Sequence, residues 1–276
     1  MRLRRWNFRV SKKVAIIFTI ITLFFVLFNT NFSQSIANAD NSHSAQIVMD
    51  ANTYEVIFGE NIHARLPMAS TTKIMTALVI IENCNLNDLV TIDDRAIGVE
   101  GSSVYLEKGE KLKVKDLLLC LMLRSGNDSA VALALHLCNS LEKFATMMNS
   151  KVEELGLKNT NFTNPHGLHD DNHYTSAYDL AVISSYAMKN QDFINVVSTK
   201  TVKITSNYHT RYLSNKNKIL SGYEGANGIK TGFTKKAGRC LVASAKRNQK
   251  QVVSVVLNVS DTYGTCKTLM DKAFEK

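Results

Sequence analysis

The stretch Gly228-Ile-Lys-Thr-Gly-Phe-Thr234, followed by Arg239-Cys-Leu-Val-Ala-Ser-Ala245 and by Gln251-Val-Val-Ser-Val-Val-Leu-Asn-Val259, decides the fold. These runs are rich in β-branched residues and are separated by Lys235-Lys-Ala-Gly238 and Arg247-Asn-Gln-Lys250, so they read as consecutive antiparallel strands joined by tight turns. Near the other end of the chain, Gln46-Ile-Val-Met-Asp50 and Glu55-Val-Ile-Phe-Gly59 flank Ala51-Asn-Thr53 and predict a further hairpin. The middle, residues 69–189, has a different period. Ile74, Leu78 and Ile81 fall at helical spacing, and Val114 to Leu123, Ala130 to Leu137 and Tyr178 to Met188 are apolar helical runs. The pattern predicts an α/β fold of the α+β type: an antiparallel sheet, split in sequence, with a helical lobe inserted between its N-terminal and C-terminal strands. An amphipathic stretch from Tyr263 to Phe274 predicts a last helix packed on that sheet.

The chain of 276 residues with 45% hydrophobic content is enough for one substantial core and far from the composition of disorder. Its beginning is a separate matter. Arg2, Arg4, Arg5, Arg9, Lys12 and Lys13 precede an apolar run from Val14 to Phe28, and Ala37-Asn-Ala39 supplies a small-x-small pattern. Residues 1–39 therefore read as a secretory signal with the mature domain, 40–276, starting at Asp40; the competing reading is an uncleaved signal anchor that would hold the protein at a membrane. Either way the remainder is expected on the extracytoplasmic side. The leader also accounts for most of the net charge of +9: six of the 33 basic residues and none of the 24 acidic ones lie within it, leaving about +3. No basic block with interleaved aromatics remains, which argues against nucleic acid as a partner. The five cysteines, Cys84, Cys120, Cys138, Cys240 and Cys266, are odd in number and without C-x-x-C spacing, so they predict neither a disulfide framework nor a structural zinc site.

Three short motifs stand in one order on this scaffold: Ser70-Thr-Thr-Lys73 at a helix start, Ser125-Gly-Asn127 between two apolar helices, and Lys230-Thr-Gly232 in a late strand. A serine hydroxyl is a weak nucleophile until a base within hydrogen-bond reach takes its proton. The i, i+3 spacing puts Lys73 one turn from Ser70 on the same helix face, with Ser70 at the positive end of the helix dipole. Lys73 can serve as that base near neutral pH if burial or a neighbouring cation lowers its pKa, and Lys230 is the candidate neighbour. Ser125 is placed to relay a proton to a leaving amine, and Asn127 to bind a substrate amide. Strand alternation sends Lys230 and Gly232 to one face and Thr231 to the other. Gly232 would let a substrate backbone lie along the strand, and the amide of Phe233 would join that of Ser70 as an oxyanion hole. Each motif alone has a plain structural reading: a helix-cap serine, a polar interhelical turn, a strand end. The ordered set is the one known for penicillin-binding proteins and class A β-lactamases.

Pro67-Met-Ala-Ser70-Thr-Thr-Lys73-Ile-Met-Thr-Ala, Gly101-Ser-Ser, Leu121-Met-Leu-Arg-Ser125-Gly-Asn127-Asp-Ser-Ala, Asn161-Phe-Thr-Asn-Pro-His-Gly-Leu168 and Gly228-Ile-Lys230-Thr-Gly-Phe-Thr234 resemble the serine-type D-alanyl-D-alanine carboxypeptidases, the low-molecular-mass penicillin-binding proteins. The resemblance covers residues 45–274. It implies a β-lactamase/D,D-peptidase-like fold, Ser70 as acyl-enzyme nucleophile, Lys73 as proton acceptor, Ser125 as the active-site serine, and Lys230 with Thr231 as binders of the substrate carboxylate. It also implies peptidoglycan stem peptides ending in D-Ala-D-Ala as substrate, β-lactams as inhibitors, a part in building the cell wall, and no cofactor. Many members of that family continue into a C-terminal β domain and an amphipathic anchor helix, and neither is expected here.

Three rival readings compete. A β-lactamase would need a carboxylate to activate the deacylating water, and no Glu-x-x-Leu-Asn lies between Asn127 and Lys230; Glu153 and Glu154 read as a solvated helix face. A metal-dependent peptidase is suggested by His166, His169, His173, Asp170 and Asp171, but their spacing matches no H-E-x-x-H helix, and Pro165 and Gly167 mark a loop. A non-catalytic wall-binding relative would more readily have lost Ser70 or Lys73.

Overall fold

The structure, a computed structural model, describes residues 43–275. The reading of residues 1–39 as a leader lies outside the described residues. Strands β1 (Ala45–Asp50) and β2 (Val56–Glu60) form the N-terminal hairpin. The C-terminal strands are β7 (Ala226–Thr234), β8 (Gly238–Arg247) and β9 (Lys250–Leu257), and the five make one antiparallel sheet in the order β2-β1-β9-β8-β7. The sheet is split as expected: β1 pairs with β9, Ala45 opposite Leu257 and Asp50 opposite Val252, so the first and last strands lie side by side at its centre.

The apolar run of β9 is continuous rather than alternating because the strand is covered on both faces. Val253, Val255 and Leu257 join the larger core beneath the helical lobe. Val252 and Val256 face the other way, onto Cys266, Leu269, Met270 and Ala273 of the C-terminal helix Thr262–Glu275. Period-2 geometry thus divides one strand between two cores.

The lobe is built around α1 (Lys73–Asn83), whose residues 73–80 are all buried, the mark of a helix surrounded by others rather than lying on a surface. The apolar helices α2 (Val114–Arg124) and α3 (Asn127–Cys138) follow, joined through Ser125 and Gly126. Helices α4 (Leu141–Glu154), α5 (Ala177–Ala187) and α6 (Gln191–Ser198) complete the lobe. Two small hairpins escape the sequence pattern, β3 (Leu89–Thr91) with β4 (Lys111–Lys113), and β5 (Thr201–Thr205) with β6 (Thr210–Ser214). Each of these strands buries a single side chain, Val90, Leu112, Ile204 or Leu213, too few to print an alternation. The insertion therefore runs past residue 189, to the end of β6. Of the five cysteines, Cys120, Cys240 and Cys266 are buried, and Cys84 and Cys138 half-buried.

Candidate active site

Ser70 lies not in the first turn of α1 but in a 3-10 turn, Ala69–Thr72, that leads into it. Two features tighten this turn. Ala69 has a left-handed backbone, φ +49°, unusual for a residue with a side chain. The hydroxyls of Thr71 and Thr72 donate to the carbonyls of Met68 and Ala69 at 2.6 and 2.8 Å. The helix-cap reading of Ser70 does not hold, since Met68 occupies the cap position.

One turn on, Lys73 is completely buried. Its Nζ lies 2.7 Å from Asn127 Oδ1, 2.6 Å from the His166 carbonyl and 3.1 Å from Ser70 Oγ. The first two partners can only accept, so they take two N–H bonds. What remains on a neutral amine is its lone pair, which then faces the one partner able to donate, the Ser70 hydroxyl. The neutral form is favoured: burial holds the Lys73 pKa well below the ordinary lysine value, the Lys230 cation pushes the same way, Asp128 opposes, and Lys216 adds a smaller push downward. The sequence expectation that Lys230 depresses Lys73 is met, with burial the larger cause.

Asn127 lines the cleft, and its amide is engaged at both ends, the oxygen on Lys73 Nζ and Nδ2 donating to the Glu100 carbonyl at 2.5 Å. Its backbone N–H donates to the Ser102 carbonyl, so the α3 start and the Gly101-Ser102-Ser103 segment are tied together. The next residue extends the tie. Buried Asp128 accepts from Ser103 Oγ (2.6 Å), Val104 N (2.9 Å) and Leu106 N (3.3 Å) through one oxygen and from Ser129 N (2.8 Å) through the other. Ser125 closes α2 in a left-handed conformation, φ +65°, which turns its side chain out of the helix and into the cleft.

On the opposite wall, β7 carries the third motif. Lys230 is buried with Nζ donating to the Thr231 carbonyl at 3.1 Å, and burial, aided by Lys216, lowers its pKa to about 7. Gly232 faces the turn that carries Ser70: a Cβ there would sit 3.1 Å from Met68 O, 3.1 Å from Ser70 N and 3.2 Å from Thr71 N. The glycine is therefore required first for the close approach of β7 to Ser70, a reason the sequence reading did not give. A cleft arm of about 340 Å³ is lined by Ser70, Ser125, Lys216, Thr231 and Arg239. A second of about 290 Å³ is lined by Ser70, Asn127, His166, Leu168 and Phe233. Both arms meet at Ser70. Lys216, whose Nζ lies 3.4 Å from Ser102 Oγ, and Arg239 were not singled out from the sequence, since neither belongs to a motif.

The histidine cluster does not converge. His166 is half-buried and lines the second arm with Ser70, its pKa is lowered to about 3 by burial and by Lys73, and its Nδ1 accepts from Leu168 N. His169 is on the surface beside Asp171. Both ring nitrogens of buried His173 are engaged, with Thr163 and with Thr72. No three such side chains surround a common point among the described residues. Glu153 and Glu154 are exposed on α4, with Glu154 paired to Lys151.

A family model described as D-alanyl-D-alanine carboxypeptidase matches residues 32–261. The chain is 37% identical over 227 residues to the D-alanyl-D-alanine carboxypeptidase DacF of Bacillus subtilis, covering 79% of this chain and 58% of that one. It is likewise 37% identical to the D-alanyl-D-alanine carboxypeptidase of Streptomyces sp. K15, covering 76% of this chain and 78% of that one. The chain thus spans between half and two thirds of the length of the DacF relative. Among solved structures, an S96A mutant of the Streptomyces K15 DD-transpeptidase superposes with a TM-score of 0.80 at 32% identity, covering 84% of this chain and 97% of the other. The D-alanyl-D-alanine carboxypeptidase DacD of Francisella tularensis superposes with a TM-score of 0.80 at 26% identity, covering 87% and 72%.

Proposed function

We propose, from the premise that the chain belongs to the D-alanyl-D-alanine carboxypeptidase family, that it removes the terminal D-alanine of peptidoglycan stem peptides through an acyl-enzyme on Ser70. The observation that carries this reading is the Lys73 amine, buried, depressed in pKa and left with its lone pair toward Ser70 Oγ. In this reading Ser70 Oγ attacks the carbonyl between the two D-alanines as its proton passes to Lys73 Nζ. The N–H groups of Ser70 and Phe233 hold the developing oxyanion. Ser125 returns the proton to the departing amine, and D-alanine leaves. Thr231 and Lys216, with buried Lys230 beneath them adding its charge, hold the substrate carboxylate in the larger arm, while the stem peptide occupies the arm lined by His166, Leu168 and Phe233. Water then hydrolyses the ester and regenerates Ser70. Asn127 is assigned to orienting Lys73, in keeping with its hydrogen bonds.

The same reading places residues 40–276 as a catalytic domain outside the cytoplasmic membrane, delivered by a leader in residues 1–39. No helix among the described residues is long and apolar enough to cross a membrane. Incubation of the purified chain with benzylpenicillin, followed by intact mass and peptide mapping, tests the proposal. A persistent adduct on Ser70, absent from Ser70→Ala, together with release of D-alanine from a D-Ala-D-Ala peptide, is the expected result. Rapid turnover of the drug would favour a β-lactamase, and an unmodified chain would overturn the assignment.

A further inference from the structure

The peptide unit joining Ala69 to Ser70 carries the Ala69 carbonyl on one edge and the Ser70 N–H on the other. In a planar trans peptide these point in opposite directions, so whatever fixes the carbonyl aims the N–H. The carbonyl edge is held by a buried chain of groups. Thr163 N–H donates to His173 Nδ1 at 3.0 Å. A backbone N–H can only donate, so Nδ1 is the acceptor and the ring proton sits on Nε2. That proton faces Thr72 Oγ1 at 2.8 Å, and the Thr72 hydroxyl in turn donates a hydrogen bond to the Ala69 carbonyl at 2.8 Å. The ring is 3% exposed, and burial, the largest of the influences on it, lowers its pKa to about 4, so near neutral pH it stays in the neutral form this chain needs. Gly167 closes the same pocket: a Cβ there would run into the Ala69 carbonyl and Thr72 Oγ1. On the N–H edge stands Gly232, where a Cβ would lie 3.1 Å from Ser70 N.

We propose that His173, acting through Thr72, is a positioning residue that locks the left-handed Ala69 and thereby aims the Ser70 N–H at the oxyanion of the acylation step. The inference rests on the function proposed above, because the oxyanion belongs to that reaction. The relay consists of a loop residue and a residue at the helix start 101 positions apart, both buried and neither lining the cleft. Its contribution belongs to the transition state, where the N–H meets developing charge, and not to ground-state binding. Complete loss of an oxyanion donor costs about 100- to 1000-fold in rate. A donor left in place but free to swing should cost less, about 10- to 50-fold.

The test is a double-mutant cycle on the full chain with benzylpenicillin, resolving the pre-acylation dissociation constant from the first-order acylation step by intact mass, with unfolding temperature measured alongside. Thr72→Val removes the hydroxyl at nearly constant volume, and His173→Leu removes the ring donor. Each should slow acylation about 10-fold or more with the dissociation constant within about 2-fold, and the double variant should be no slower than the worse single one. His173→Gln, whose amide offers an acceptor and a donor at a spacing close to that of the two ring nitrogens, should recover to within about 3-fold of the parent. Acylation at the parental rate in a folded Thr72→Val or His173→Leu chain, multiplying effects in the cycle, or failure of His173→Gln to recover while remaining folded would each overturn the relay. Should His173→Leu not fold, nitrogen chemical shifts of the His173 ring in the parent decide: an Nδ1-protonated or charged ring at pH 7 refutes the proposal. If the parent itself forms no adduct, the peptidase reading fails. The ring tautomer, together with the Ala69 backbone in a crystal structure of Thr72→Val, still decides whether the relay holds the turn.

Discussion

Asp128→Asn should separate the two tasks of one buried carboxylate. One oxygen receives three donors, Ser103 Oγ, Val104 N and Leu106 N, and the other receives Ser129 N. The amide that best mimics this keeps its oxygen toward the three donors and must then turn its NH₂ against the Ser129 N–H. Leaving that donor unsatisfied costs about 1–3 kcal/mol, and replacing charge-assisted bonds by neutral ones removes about 0.5–1 kcal/mol from each of the others. The total, about 2.5–6 kcal/mol, corresponds to a fall in Tm of about 5–24 °C for a domain of this size. The second task is electrostatic. The Asp128 charge raises the Lys73 pKa, so its removal leaves Lys73 easier to deprotonate. The variant should unfold earlier yet keep the active base down to lower pH, moving the acid limb of the acylation rate to more acidic values. Scanning calorimetry and acylation by benzylpenicillin between pH 5 and 9 measure both. A Tm within 2 °C of the parent, or an acid limb that stays or moves upward, would falsify this account.

The remaining predictions use the same two assays. Lys230→Met should move the acid limb the opposite way, because it deletes a cation that lowers the Lys73 pKa. Its stability has a defined sign as well. The folded lysine titrates at about 7 and the unfolded one at about 10.4, so from pH 7 to 10 the unfolded chain binds more protons and the parent gains stability as pH rises. The methionine variant lacks that slope, and its advantage in Tm, greatest near pH 7, should shrink by pH 9; a constant difference would contradict the buried-lysine assignment. In Gly232→Ala the new methyl meets backbone atoms of Met68, Ser70 and Thr71 that no rotamer change can clear, so acylation should drop at least 10-fold with a stability loss of about 1–3 kcal/mol. Parental acylation rates in that variant would show that β7 does not press on the serine turn. At acid pH, His166 and His173 hold folded values of about 3 and about 4 against about 6.5 unfolded, so their contribution is full above pH 6.5 and is lost as pH falls, down to about 4 for His173 and about 3 for His166. His173→Gln should flatten that decline in a plot of Tm against pH.

Much of the scaffold was legible in the sequence because it is written in long periodic runs. Continuous apolar strands gave the centre of the sheet, and the helical runs at Val114 and Ala130 gave the walls on either side of Ser125. The hairpins β3–β4 and β5–β6 were not legible, since strands that bury one side chain each leave no period to read. The reacting groups were legible as motifs because acylation needs a nucleophile and a base one helical turn apart. The groups that hold them were not. Asp128 sits beside Asn127 in sequence, but its partners lie 22 to 25 residues upstream, and no spacing rule connects them. His173 drew attention for the wrong reason, as part of a His/Asp cluster suggestive of metal, when what matters is which backbone N–H and which hydroxyl meet its two nitrogens. Asn127 is legible as part of the Ser125-Gly-Asn127 motif, but its burial and the engagement of both amide ends with Lys73 and the Glu100 carbonyl are not.

Two of the left-handed residues with side chains, Ala69 and Ser125, belong to the site, one directly before Ser70 and the other at the end of α2. Such conformations cost about 1–2 kcal/mol each and persist only where the surroundings hold them. Here the surroundings are two loops outside the three motifs. Residues 163–168 close over the Ala69 carbonyl and also supply the His166 carbonyl to Lys73, while residues 100–106 are pinned by Asn127 and Asp128 directly after Ser125. The amine of Lys73 bridges the two systems, bonding to the His166 carbonyl of one and to the Asn127 amide of the other. Removing that amine therefore does more than delete a base. A Lys73→Met chain loses the only side chain that bonds to both loops and to Ser70 among the described hydrogen bonds, so it should lose order at Ala69 and at Ser125 together. Lys73→Arg, which keeps donors for both carbonyl oxygens but has no accessible lone pair, should keep both turns and still fail to acylate. Crystal structures of that pair would separate the lysine as clamp from the lysine as base.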